Sequence, residues 1–133
     1  MTATLADTSI WVTYLRHGPG HPQAAELAGR LREGGVLTCG PIVSELLTGT
    51  AERDRERLGS TLRALDWVDL DRAEWIAAGE LAAKLRAGGE TVPLTDVTIA
   101  VAAVAAGAEL LSADSDFERI ARYERRLRHR VIA

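Results

Sequence analysis

Short apolar runs alternating with helical patterns constrain this chain more than any other feature. Thr4-Leu5-Ala6, Val36-Leu37-Thr38-Cys39, Trp67-Val68 and Glu109-Leu110-Leu111-Ser112 are too short for helices. Each is followed by a stretch whose apolar residues recur at three- to four-residue spacing. Arg128 to Ile132 adds a candidate fifth strand at a sheet edge. Such alternation predicts an α/β fold with a central, mostly parallel sheet of about five short strands and helices on both faces. At 133 residues the chain is sized for one core, so one domain over residues 1–133 is expected.

The helices can be placed from their punctuation. Thr8 and Ser9 offer N-cap hydroxyls to a helix whose stripe Ile10, Trp11, Tyr14 and Leu15 reads as core. His17-Gly-Pro-Gly-His21 reads as a loop, which takes the two histidines off a shared helix face and argues against their binding a metal. Pro22 opens a second helix to about Glu33, and Gly40-Pro41 turns into a third over Ile42 to Thr48 with Glu45 one turn inside. Glu52 to Arg57 alternates charge, so Glu52 with Arg55 and Asp54 with Arg57 are neighbours on a solvated helix. Asp71 to Glu74 reads as a capping box for a helix to about Ala87, with Trp75, Ile76, Leu81 and Leu85 inward. Thr95 is the expected N-cap of an Ala-rich helix that is apolar all round beyond Thr98 and therefore buried. A short helix follows Phe117.

Composition excludes several functions. No run reaches the roughly 18 uninterrupted apolar residues of a membrane span. The start, Met-Thr-Ala-Thr-Leu-Ala-Asp, has neither the basic residues nor the apolar run of a signal peptide, so a cytoplasmic location is expected. The single cysteine, Cys39, fits a reducing compartment and excludes a multi-cysteine zinc site. A net charge of -3 gives no global attraction to nucleic acid, so any such binding must be local. Lys84 is the only lysine and sits mid-helix, which disfavours a lysine nucleophile or a phosphate-loop lysine.

Topology gathers the acids. In a parallel sheet with right-handed crossovers the carboxyl ends of the strands share one edge, where ligands bind at the point of strand-order reversal. Asp7 ends the first strand and Asp114 follows the fourth. Asp96 lies in the first turn of a helix that starts at this edge, and Glu45 has the length to reach back to it. Like charges about 4 Å apart repel by roughly 4 kcal/mol at an effective dielectric near 20, whereas a helix start relieves only about 0.3 to 1 kcal/mol. A divalent cation is the natural counterweight, and all-oxygen ligands suit Mg²⁺ or Mn²⁺ rather than zinc. The remaining acids can then orient or deprotonate a water that attacks phosphorus.

Four segments carry a resemblance: Asp-Thr-Ser-Ile-Trp at 7–11, Ser-Glu-Leu-Leu-Thr-Gly at 44–49, Leu-Thr-Asp-Val-Thr-Ile-Ala at 94–100 and Ser-Ala-Asp-Ser-Asp-Phe at 112–117. Together they resemble the signature motifs of PIN-domain ribonucleases, in particular the VapC toxins of bacterial toxin–antitoxin pairs, in order and spacing over nearly the whole chain. The resemblance implies a Mg²⁺- or Mn²⁺-dependent endoribonuclease acting on RNA such as tRNA. It implies an acidic quartet of Asp7, Glu45, Asp96 and Asp114, with Asp116 as a fifth contributor and Thr8 or Ser9 as a supporting hydroxyl. It further implies a homodimer inhibited by a VapB-like antitoxin. Where many relatives carry a basic or amide residue in the last motif, this chain has Ala113. Arg119, Arg122, Arg125 and Arg126, with Arg128 and Arg130, are candidate phosphate contacts, weighed against a merely solvated charged face.

Two other readings compete. A phosphoaspartyl protein, receiver-like or haloacid-dehalogenase-like, also sets acids at this edge, but would want a lysine after a late strand and, in the second case, an acid at position 9 where Ser9 stands. A PIN fold that binds RNA or protein without cutting is the second.

Overall fold

A computed structural model of the chain describes residues 2–132. In chain order they form β1 (Thr4–Ala6), α1 (Thr8–His17), α2 (Ala25–Glu33), β2 (Val36–Cys39), α3 (Gly40–Thr48), α4 (Glu52–Arg63), β3 (Asp66–Val68), α5 (Arg72–Ala87), α6 (Leu94–Ala106), β4 (Glu109–Ser112), α7 (Asp116–Tyr123) and β5 (His129–Val131). The strands make one sheet in the order β3-β2-β1-β4-β5, and every pairing is parallel.

The strand order explains where a site can form. From β1 the chain steps outward to β2 and β3, then crosses back to β4 on the other side of β1, and steps outward again to β5. The order therefore reverses between β1 and β4, whose residues pair Thr4 with Glu109, Leu5 with Leu110 and Ala6 with Leu111. Right-handed crossovers place α1 to α4 on one face and α5 to α7 on the other. Most helix contacts divide the same way, α1 meeting α2 and α3, and α5 meeting both α6 and α7, while α3 and α6 meet across the division. Leu5, Leu110 and Leu111 are fully buried at the centre, packed with Ile10, Trp11, Ile42, Leu62, Ile99, Phe117 and Ile120.

Several local expectations are corrected. Asp7, not Thr8 or Ser9, caps α1, its carboxylate accepting from the Ile10 N–H. The second helix begins at Ala25 rather than Pro22. Pro93 occupies the N-cap of α6, so Thr95 lies inside the helix, where its carbonyl accepts from the Thr98 hydroxyl. In α5 the inward stripe is Ala78, Leu81 and Leu85, while Trp75 and Ile76 face outward at 52% and 58% exposure. Trp11 is buried and Tyr14 packs edge-on against it at 6.0 Å, but Leu15 is exposed. On α4 the Asp54–Arg57 pair forms, at 3.8 Å, whereas Arg55 donates to the Thr50 carbonyl instead of pairing with Glu52. The Asp71–Glu74 capping box is present as read.

Candidate metal centre

The site begins with Asp7, which leaves the end of β1 and is almost wholly buried. Its Oδ1 accepts from the Ser9 hydroxyl at 2.5 Å and from the Ile10 N–H at 3.2 Å, and its Oδ2 accepts from the Ser112 hydroxyl at 2.6 Å. Three donors fix the orientation of this carboxylate. Burial raises its pKa, against those hydrogen bonds, which favour the anion, and repulsion from Asp114 raises it further.

Ser9 and Ser112 stitch β1 to the end of β4. The Ser112 oxygen accepts from the Asp114 N–H at 2.8 Å while donating to Asp7, and the Ser9 oxygen accepts from the Ala113 N–H at 3.1 Å. Each hydroxyl thus ties the Asp7 carboxylate to the backbone that presents Asp114. Ser9 was anticipated as a supporting hydroxyl. Ser112 ends the fourth strand and opens the last motif in the sequence, but the task of its hydroxyl at Asp7 is visible only in the structure. Thr8 has a separate task, donating to Glu45 Oε1 at 2.6 Å.

Asp96, Asp114 and Asp116 each offer a carboxylate oxygen, and these oxygens lie within 4.8 Å of one another. Asp114 Oδ1 also accepts from the Asp116 N–H at 2.9 Å. Burial first, then repulsion from Asp114, Asp7 and Glu45, pushes the Asp96 carboxyl up to about 6. The five acids named from sequence therefore share one region, with Asp96, Asp114 and Asp116 closest together. Asp7 and Glu45 are coupled to them through charge, and Glu45 is itself solvent-exposed.

This donor set suits a hard divalent cation. Oxygens bound to one ion at about 2.1 Å stand roughly 3 to 4 Å apart, so the aspartates need to close only slightly to share one. Among the described residues no histidine or cysteine joins the cluster. His17 and His21 stack on each other with centroids 5.1 Å apart, and Cys39 is buried with its thiol pushed up to about 11 by burial.

The candidate phosphate contacts divide. Arg119 pairs with Asp116 and lies 3.7 Å from Glu90, and Arg126 pairs with Glu124 at 2.9 Å. Arg130 bridges Glu26 and Glu109, and Arg128 reaches the Gly107 carbonyl. Arg122 and Arg125 are exposed with no ion pair among the described residues.

A five-stranded parallel sheet with a carboxylate cluster at its point of reversal fits the PIN domain class, and the family model described as PIN domain, which matches residues 4–123, establishes it. Ribonuclease VapC11 of Mycobacterium tuberculosis is 37% identical over 125 residues, spanning 89% of this chain and 91% of that protein. The chain belongs to the PIN-domain family, among the VapC ribonucleases. Two solved structures share the fold. VapBC2 from Rickettsia felis, bound to a DNA fragment from its promoter, superposes with a TM-score of 0.78 at 20% identity, covering 98% of this chain and 99% of that one. DNA-bound VapBC from Salmonella typhimurium gives 0.78 at 22% identity, covering 98% of each chain. Membership leaves no place for the phosphoaspartyl reading.

Proposed function

We propose that this protein is the toxin of a type II toxin–antitoxin pair, an endoribonuclease that hydrolyses phosphodiester bonds in RNA with Mg²⁺ or Mn²⁺. The observation that carries the reading is the cluster of Asp96, Asp114 and Asp116 at the strand-order reversal, in a chain 37% identical to a named VapC ribonuclease. In this reading Asp7, Glu45, Asp96 and Asp114 form the catalytic acids, with Asp116 beside them. The ion, when bound, would polarise the scissile phosphate and stabilise the charge that develops on it.

The chain's own residues supply the rest. Ser9, Ser112 and the Ile10 N–H hold the Asp7 carboxylate in one orientation, so little reorganisation is needed when an ion arrives. Thr8 holds Glu45 at the exposed rim, where it can orient an attacking water or accept its proton. Arg122 and Arg125 are free to meet RNA phosphates.

The partners follow the same reading. A groove of about 260 Å³ lined by Val12, Leu15, Glu45, Leu46 and Thr50 runs beside Glu45, which supports an antitoxin tail inhibiting the site. The outward Trp75 and Ile76 of α5 support a homodimer. No helix is long and apolar enough to cross a membrane among the described residues, and a cytoplasmic location fits the role.

The test is cleavage of cellular RNA by purified protein with Mn²⁺ or Mg²⁺. Asp96→Asn should reduce the rate by about 100-fold or more, and chelation should abolish it. Undiminished, chelator-resistant cutting by Asp96→Asn would remove the reading.

A further inference from the structure

Arg119 is more constrained than a helix-surface arginine. Asp116 opens α7 and Arg119 follows three residues later, so the two share a face. One guanidinium nitrogen of Arg119 contacts Asp116 Oδ1, and the other lies 3.7 Å from Glu90 Oε2. Glu90 belongs to the 88–93 segment, which leaves α5 and ends at Pro93, the N-cap of α6. This segment and α7 approach closely at a second point, since a Cβ at Gly88 would strike the Tyr123 ring and hydroxyl.

The bridge thus joins two walls of the acid cluster. On one side is the helix start carrying Asp116; on the other is the segment that launches Asp96. The side chains of Arg119, Asp116 and Glu90 are only 32%, 17% and 21% exposed, which sets them apart from freely solvated pairs of little worth. The planar guanidinium holds its two terminal nitrogens at a fixed separation, so the one on Asp116 and the one facing Glu90 set the two acids relative to each other. A carboxylate has about four lone-pair sites, so one held on Arg119 leaves the others for an ion shared with Asp96 and Asp114.

We propose that Arg119 is a positioning residue of the metal centre, aiming Asp116 at the ion and holding α7 against the approach to Asp96. The proposal rests on the reading of the acids as a divalent-ion site.

The experiment is Mn²⁺ titration of the purified, chelator-stripped protein by calorimetry, with thermal unfolding of the same stripped samples. Arg119→Ala and Asp116→Ala should each weaken Mn²⁺ binding about 10-fold or more. The double variant should be no more than about threefold weaker than the poorer single, because both changes remove one link. Arg119→Lys, which keeps the charge without the fork, should recover part of the loss. A bridge that only staples the fold would lower the melting temperature of the stripped protein and leave Mn²⁺ affinity untouched; that result, or losses that multiply in the double variant, overturns the proposal. Should Arg119→Ala not fold, Glu90→Gln releases the same bridge from its far end and should weaken Mn²⁺ about threefold, unchanged affinity counting against it. Failure of the unmutated protein to bind Mn²⁺, or wild-type affinity in Asp96→Asn, overturns the metal-site reading itself and this proposal with it.

Discussion

Asp96 shows how one residue's surroundings set both its chemistry and its cost. Burial and neighbouring anions raise its carboxyl from 3.8 to about 6, so the folded chain holds a proton there more tightly than the unfolded chain does. The stability this contributes is full below pH 3.8 and is lost as pH rises through about 6. Asp7, also raised, acts in the same direction. Ion-free protein should therefore melt at a lower temperature at pH 7.5 than at pH 5 as far as this site is concerned, and Asp96→Asn should shrink that difference in thermal unfolding scans. Divalent ion should oppose the trend, since it binds the ionised form. The candidate acids were legible in the sequence because each sits at a strand end or just inside a helix. For Ser112 the last motif gives the residue but not its task, which comes from a contact to Asp7 across 105 residues. For Arg119 the sequence offers phosphate contact or a solvated charged face; Asp116 is only three residues away, but the link to Glu90 is distant in sequence and has no local signal.

Among the elements, legibility followed how strongly local physics dictates the answer. The bounds of β2 and β4 read correctly because each is a compact apolar run closed by a helix start or a turn. Helix α5 began where its capping box said, with the Asp71 side chain accepting from the Glu74 N–H and the Glu74 side chain from the Asp71 N–H, both at 2.8 Å. Asp71→Ala should cost about 1 kcal/mol of unfolding free energy, measured by denaturant titration, with no change in the metal site. The face α5 buries was misread because small Ala78 holds the inward position while the larger Trp75 and Ile76 lie outside. Size made those two look like core, but only packing against α6 and α7 decides which side of a helix is covered. At α6, Thr95 is a good cap by residue type, yet the helix starts two residues earlier than that cap implies, at Leu94 with Pro93 as its N-cap.

For the molecule as a whole, the strand order β3-β2-β1-β4-β5 brings acids spread along the sequence to one edge of the sheet. The alternation of short strands and helices implied a parallel sheet, and handedness implied a shared edge, so the convergence could be argued before any coordinate. What alternation could not give is the outer surface. The exposed pair Trp75 and Ile76 makes Trp75→Glu the test of the proposed homodimer, and light scattering should show it shifted toward monomer with its melting curve otherwise two-state.

Cys39, the one thiol, ends β2 almost wholly buried in the sheet, and its raised pKa leaves it protonated at neutral pH. A thiol reagent can reach it only when that sheet edge opens, so the rate of disulfide exchange with an aromatic disulfide should report opening events directly. The chain thereby carries a built-in clock of its own breathing. Ion binding at the neighbouring acids should slow it, with no label or engineered probe required.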